Sequence, residues 1–214
     1  MTEREALTRA ICEAPDEDTP RLVFADWLDE HGEPDRAEFI RVQVRFADLL
    51  RRGDPDTQGL ARRARELWSG HGKEWLSQLP RVQGLTWHDA FFRGFTERAV
   101  AATDSVLVRN ADAVFGQPLR QLVIKRFTGA VGFPQLRGLR HLKALSVAND
   151  DAGPEVVAEL LRCDDFAESL LLECSFRGPG GTNYYDELRA KFGKRLYKPN
   201  SPPPSQAARR RGWW

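Results

Sequence analysis

The chain has 214 residues, 41% of them apolar and 29% charged, with a formal net charge of +1. That is enough for one large domain or two small ones, and no apolar run approaches the roughly 18 residues of a membrane span. The first residues, MTEREALTRAICEAPDED, lack the apolar core of a signal peptide, which places the expected location in the cytoplasm.

Cys12, Cys163 and Cys174 make neither a disulfide framework nor a CxxC zinc spacing, and the four histidines form no HExxH. No metal or other cofactor is expected. Charge is uneven. Residues 1–80 hold 12 Lys+Arg against 17 Asp+Glu, a net −5, and the remainder holds 20 against 14, a net +6. Neither half is basic enough to imply nucleic acid by itself.

Thr2-Glu3-Arg4-Glu5 reads as a capping box opening a helix that carries Leu7, Ala10, Ile11 and Ala14 and stops at Pro15. Thr19-Pro20 opens a second helix, with Thr19 as N-cap and proline at the first helical position. Val23, Phe24, Trp27, Leu28 and His31 fall on its apolar face, and Asp26, Asp29 and Glu30 on the other. Gly32 supplies a left-handed cap and Pro34 starts a third helix. Its inward row is Ala37, Ile40, Val44 and Ala47, flanked by Phe39, Phe46 and Leu50. After Gly53-Asp54-Pro55-Asp56 a fourth helix carries Leu60, Ala64, Leu67 and Trp68. Beyond Gly70-His71-Gly72 a separate helical piece holds Trp75, Leu76 and Leu79. The carboxylates crowded into RLVFADWLDEHGEPDRAEFIRVQ, residues 21–43, then lie on wet helix faces and helix starts. They do not form a catalytic pair facing one substrate.

From about residue 82 the texture changes. Residues 82–87 and 94–101 read as short strands separated by HDAFFR, and Thr103 or Asp104 caps a helix carrying Val106, Leu107, Ala111, Val114 and Phe115. A pattern then recurs: Leu119-x-x-Leu122-x-Ile124, Leu142-x-x-Leu145-x-Val147 and Leu170-x-Leu172, with anchors Leu122, Leu145 and Leu170 spaced 23 and 25 residues apart. A 20–29-residue period with LxxLxL is the leucine-rich-repeat signature. Residues 154–161 and 186–192 have the helical spacing of return arms. The asparagine that usually holds each turn is replaced by Phe127, Asp150 and Ser175, with Asn149 one place early. In such strands the leucines point inward and alternate residues face outward. Gln121, Val123 and Lys125 should line up beside Ala144, Ser146 and Ala148, and then beside Leu171 and Glu173. Six of these, Gln121, Val123, Lys125, Ser146, Leu171 and Glu173, are the candidate partner-binding residues of a concave face.

LVFADWLDEHGEPDRAEFIRVQ also resembles the signature of the bacterial repeat-companion domain, approximately LxFADWLxExGDPxRAEFIRxQ. HGKEWLSQLP, FFRGFTERAV, PLRQLVIK and ELRAKFGKRL look like further stations of that family, over roughly residues 3–197. RFTGAVGF and CSFRGPGGTNYY depart from good repeat turns. The resemblance implies a non-catalytic scaffold whose helical module accompanies leucine-rich repeats, and it assigns no catalytic residue. Within the motif Asp26, Arg36, Glu38 and Arg41 are expected to pair between the second and third helices.

No phosphate-binding GxxxxGK[ST] and no GxSxG elbow occurs, so the chain reads as a non-enzyme. After KPNSPPPS comes Arg209-Arg210-Arg211-Gly212-Trp213-Trp214. This is either a disordered solubilising tail or a short motif in which arginines and tryptophans meet a partner. The expected fold is α+β or α/β. It has a helical module, residues 1–80, packed on a short, irregular leucine-rich-repeat-like arc of parallel strands, residues 81–198, and a flexible tail, residues 199–214. The expected function is a protein–protein interaction adaptor or scaffold of the bacterial cytoplasm, with no membrane partner. The alternatives are a regulatory nucleic-acid binder acting through the arginines of the tail and, behind it, an unrecognised hydrolase.

Overall fold

The structure, a computed structural model, describes residues 1–55, 57–176, 178 and 184–197. The chain is organised as two units. One joins Met1–Arg81, Trp87–Arg98 and Asp112–Leu119, and the other joins Val82–Thr86, Ala99–Ala111 and the residues from Arg120 on. The sequence pattern places residues 87–98 and 112–119 in the repeat region, whereas in the structure they belong to the helical unit.

The helical unit contains α1 (Glu3–Glu13), α2 (Thr19–Glu30), α3 (Pro34–Arg52) and α4 (Gln58–Ser77). The capping box of α1 is formed in both directions, with Glu5 N–H donating to Thr2 Oγ1 and Thr2 N–H to Glu5 Oε2. At α2 the N-cap is Asp18, and Thr19 is already helical. The buried face of α2 is rotated from the expected one: it consists of Arg21, Phe24, Ala25 and Leu28, while Val23 is exposed. Trp27 sits at the edge, stacked between Phe24 and His31. In α3 the predicted row Ala37, Ile40, Val44 and Ala47 is buried, with Leu49 inside and Leu50 outside. Helix α4 runs unbroken through Gly70 and Gly72, where the sequence suggested a stop. A Cβ on Gly72 would lie 2.6 Å from Trp68 Cδ2, so this glycine makes room for an indole rather than ending the helix. Packing of Trp75 and Leu67 against Phe39 holds the turn that propensity alone weakens.

HDAFFR, expected as a separator, contains half of a hairpin. Strands β2 (Phe91–Phe92) and β3 (Phe95–Thr96) pair antiparallel around Arg93 and Gly94. Both turn residues have positive φ, 46° and 89°, the type I′ geometry that suits the twist of a tight hairpin. Phe95 enters the core with Phe24 and Ile40.

The second unit is built on a six-stranded sheet of order β1-β4-β5-β6-β7-β8. Its strands are β1 (Leu85–Trp87), β4 (Arg98–Thr103), β5 (Gln121–Arg126), β6 (Ala144–Asn149), β7 (Leu171–Phe176) and β8 (Leu196–Tyr197). The last four are mutually parallel. The predicted helix after β4 is two short ones, α5 (Asp104–Arg109) and α6 (Ala111–Phe115), interrupted at Asn110. The chain returns from β5 to β6 through 3-10 turns at Phe133–Gln135 and Arg137–His141. It returns from β6 to β7 through α7 (Pro154–Leu161), and from β7 to β8 through α8 (Tyr185–Phe192). The fold is therefore mixed α+β. RFTGAVGF, a poor repeat turn by sequence, contributes two fully buried rings: Phe127 meets Phe133 edge-on at 5.0 Å.

Candidate interaction face

Strands β5, β6 and β7 alternate through their centres, while Ala144 at the start of β6 is buried although it lies in the outward row. Leu122, Ile124, Leu145, Val147, Leu172 and Cys174 are buried on one side. Gln121, Val123, Ser146, Ala148, Leu171, Glu173 and Ser175 alternate with them, half-buried, and Lys125 is exposed. Register aligns them in rows: Gln121 beside Ala144 beside Leu171, and Val123 beside Ser146 beside Glu173. Between β5 and β6 this is the alignment that the 23-residue spacing predicts. The third anchor shifts, however: Leu145 pairs with Leu172, and Leu170 is buried just before the strand.

Two side chains fix the turn that leaves β5. Asn149 Nδ2 donates to the Phe127 carbonyl at 2.7 Å, and its Oδ1 accepts from Asp151 N–H at 2.8 Å. Asn149 thus ties the end of β6 to the chain leaving β5 and to the turn that follows β6. Asp104, fully buried, accepts from Thr128 N–H, Thr128 Oγ1 and Ala130 N–H, at 2.8, 2.7 and 2.6 Å. The sequence reading offered Asp104 as a helix cap; its carboxylate is spent on the neighbouring loop instead.

The face has a defined relief. The middle strand presents only Ala144, Ser146 and Ala148, while Val123 and Gln121 stand on one side and Leu171 and Glu173 on the other. Charge lies at the margins, Lys125 on β5 and Glu173 on β7. Beyond Glu173 the row continues to Tyr197 on β8, a residue the sequence reading missed because a two-residue strand has no readable alternation. Burial, reinforced by the Glu173 carboxylate, pushes the Tyr197 phenol well above its usual range.

Arg209, Arg210, Arg211, Trp213 and Trp214 lie outside the described residues, as does most of the Gly178-Pro179-Gly180-Gly181 segment. Among the described residues no three His, Cys, Asp or Glu side chains cluster to hold a metal ion, and no helix is long and apolar enough to cross a membrane. Comparison with known proteins finds no matching family model, curated protein or solved structure.

Proposed function

We propose that the chain is a non-catalytic adaptor or scaffold of the bacterial cytoplasm. In this reading a repeat-companion-like helical module accompanies a short leucine-rich-repeat-like sheet, and the outward rows of β5, β6 and β7 receive a protein partner. The observation that carries the proposal is the register. Three parallel strands bring Val123, Ser146 and Glu173 into one row and Gln121, Ala144 and Leu171 into the next. Stacked repeats use such rows as extended binding surfaces. Small residues along the centre let a partner's backbone approach closely, and Lys125 and Glu173 at the margins favour one orientation of a partner carrying both signs of charge.

The test places a photo-crosslinking residue at Ser146 and, as control, at the exposed Glu30 of α2. The Ser146 position should give a discrete protein adduct in cells, weakened by Glu173→Lys, and the Glu30 position should not. Equal labelling at both positions would remove the face from consideration. Adducts that disappear on nuclease treatment would favour the nucleic-acid reading instead.

A further inference from the structure

The helical unit also contains a cavity of about 120 Å³, walled by α1, α2, α3, the end of α4, the 91–96 hairpin and Gln117. The Arg36 side chain enters it from α3. Its guanidinium carbon lies 4.7 Å from the Trp75 ring centre, 5.1 Å from Phe91 and 5.6 Å from Phe95, and the residue is only 8% exposed. Nη2 donates to the Gly94 carbonyl. Nη1 is buried and has no hydrogen-bond partner.

The other cation on the cavity wall, Arg4, is held by both oxygens of Glu33, at 2.7 and 3.0 Å. Among the described residues no carboxylate pairs with Arg36. Burial, with the nearby Arg4 charge, lowers Arg36 to about 9. Aromatic faces attract a guanidinium, but they accept an N–H only weakly and do not replace the oxygen acceptor that a buried donor requires. The cavity therefore borders a donor without an acceptor and a positive charge whose nearby carboxylate, Glu33, opposes the lowering but has both oxygens engaged by Arg4.

We propose that this cavity binds a small monocarboxylate, of acetate or propanoate size, whose oxygen accepts from Arg36 Nη1 and whose charge balances the guanidinium. Size supports the assignment, since an apolar cavity of about 150 Å³ holds benzene, leaving room here for a slightly smaller molecule. Gln78 and Gln117 on the wall carry amide donors for the second oxygen, and Phe24, Phe95 and Trp75 offer apolar surface to a short alkyl tail.

The full chain is titrated with sodium propanoate at ionic strength held constant by sodium chloride, and binding is read by saturation-transfer NMR on the propanoate methyl. Transfer should saturate and be displaced by acetate. Propanamide, of the same shape, keeps an acceptor oxygen but not the charge, and should bind about tenfold more weakly, because a hydrogen bond between two ionised groups is roughly twice as strong as one with a neutral partner. Arg36→Met should abolish transfer, and Thr8→Leu, which narrows the cavity without touching the guanidinium, should weaken it. The propanoate–propanamide comparison needs only the unaltered protein, so it decides even where a variant fails to fold. Equal transfer to both compounds, or to neither, overturns the proposal. So does undiminished binding in a folded Arg36→Met chain, or equal competition by inorganic phosphate.

Discussion

Arg21 and Arg36 carry their charges inside the helical unit, and one short hairpin serves both. Arg21, fully buried, donates to Glu97 Oε1 at 2.8 Å and to the Pro15 and Arg93 carbonyls. Arg93, in its left-handed turn position, donates to Asp18 Oδ1 and the Asp16 and Pro15 carbonyls, and reaches Glu97. Gln43 completes the grip, donating to Phe91 O and accepting from Gly94 N–H. The 21–43 and 91–97 stretches are thus partners in space. The expected surface lattice divides differently: Arg41 pairs with Asp26 and Asp29, Glu38 pairs with Arg63 of α4, and Arg36 is not part of it. Removing one side of a buried ion pair costs about 3–5 kcal/mol, whereas exposed pairs contribute about 0.2–1 kcal/mol. Glu97→Ala should therefore lower unfolding stability several times more than Asp26→Ala. Urea unfolding of both variants measures this, and comparable losses would contradict the burial described. Nothing local marks Arg21 and Arg36 as interior. Apart from the Pro15 carbonyl, the partners named for them lie 58–76 residues away, beyond the reach of helical periodicity, so spacing fills the α2 face with Val23 and Trp27 in place of Arg21.

At the scale of elements, legibility followed length and spacing. Helices α1 and α3 and strands β5 and β6 emerged from capping and alternation with their neighbours correctly aligned. The run ESLLLE offered three leucines for one anchor, and spacing chose Leu170 where the ladder uses Leu172. Hairpin β2–β3 is too short for any period. The face residues were legible because β5, β6 and β7 each run six residues; the Arg36 cavity, assembled from five elements, was not. Two glycines give an element-scale test. Gly94 has φ 89°, and a Cβ there would fall 2.5 Å from Ile40 Cγ1 and 3.1 Å from its Cα. Backbone strain and overpacking together predict a loss of about 2–4 kcal/mol for Gly94→Ala. In a helix interior Gly→Ala ordinarily stabilises by about 1 kcal/mol, yet Gly72→Ala should reverse that sign because Trp68 occupies the space. Chemical denaturation of each variant checks both, and a stabilised Gly72→Ala would show that the indole moves aside at little cost.

For the molecule as a whole, the discontinuous helical unit makes a sharp prediction. A fragment ending at Arg81 retains α1 to α4 but lacks Phe95, Glu97 and the Gly94 carbonyl. It should unfold without a cooperative transition by circular dichroism, whereas the full chain should show one; a cooperative fragment would mean the hairpin is dispensable. A second prediction concerns alkali. Burial pushes the Cys12 and Cys163 thiols up to about 12, and Cys174 in the same direction. In the unfolded chain these thiols ionise near about 8.5. Between those values the folded chain holds more protons, so stability should fall as pH rises through that window. Urea midpoints at pH 8 and pH 10.5 should separate more for the native sequence than for a chain with all three cysteines changed to alanine. An unchanged separation would remove the thiols as the cause.

The interleaving of the two units also sets an order of events during synthesis. A ribosome adds about 5–20 residues per second, so roughly 3–12 s pass between Arg36 leaving the catalytic centre and Glu97 following it. During that interval the rest of α3 and all of α4 are added, while the future interior still holds hydrated guanidinium groups. Closure of the module must wait for a hairpin encoded downstream, and gene segments cut at the end of α4 would transmit helices without the piece that lets them shut.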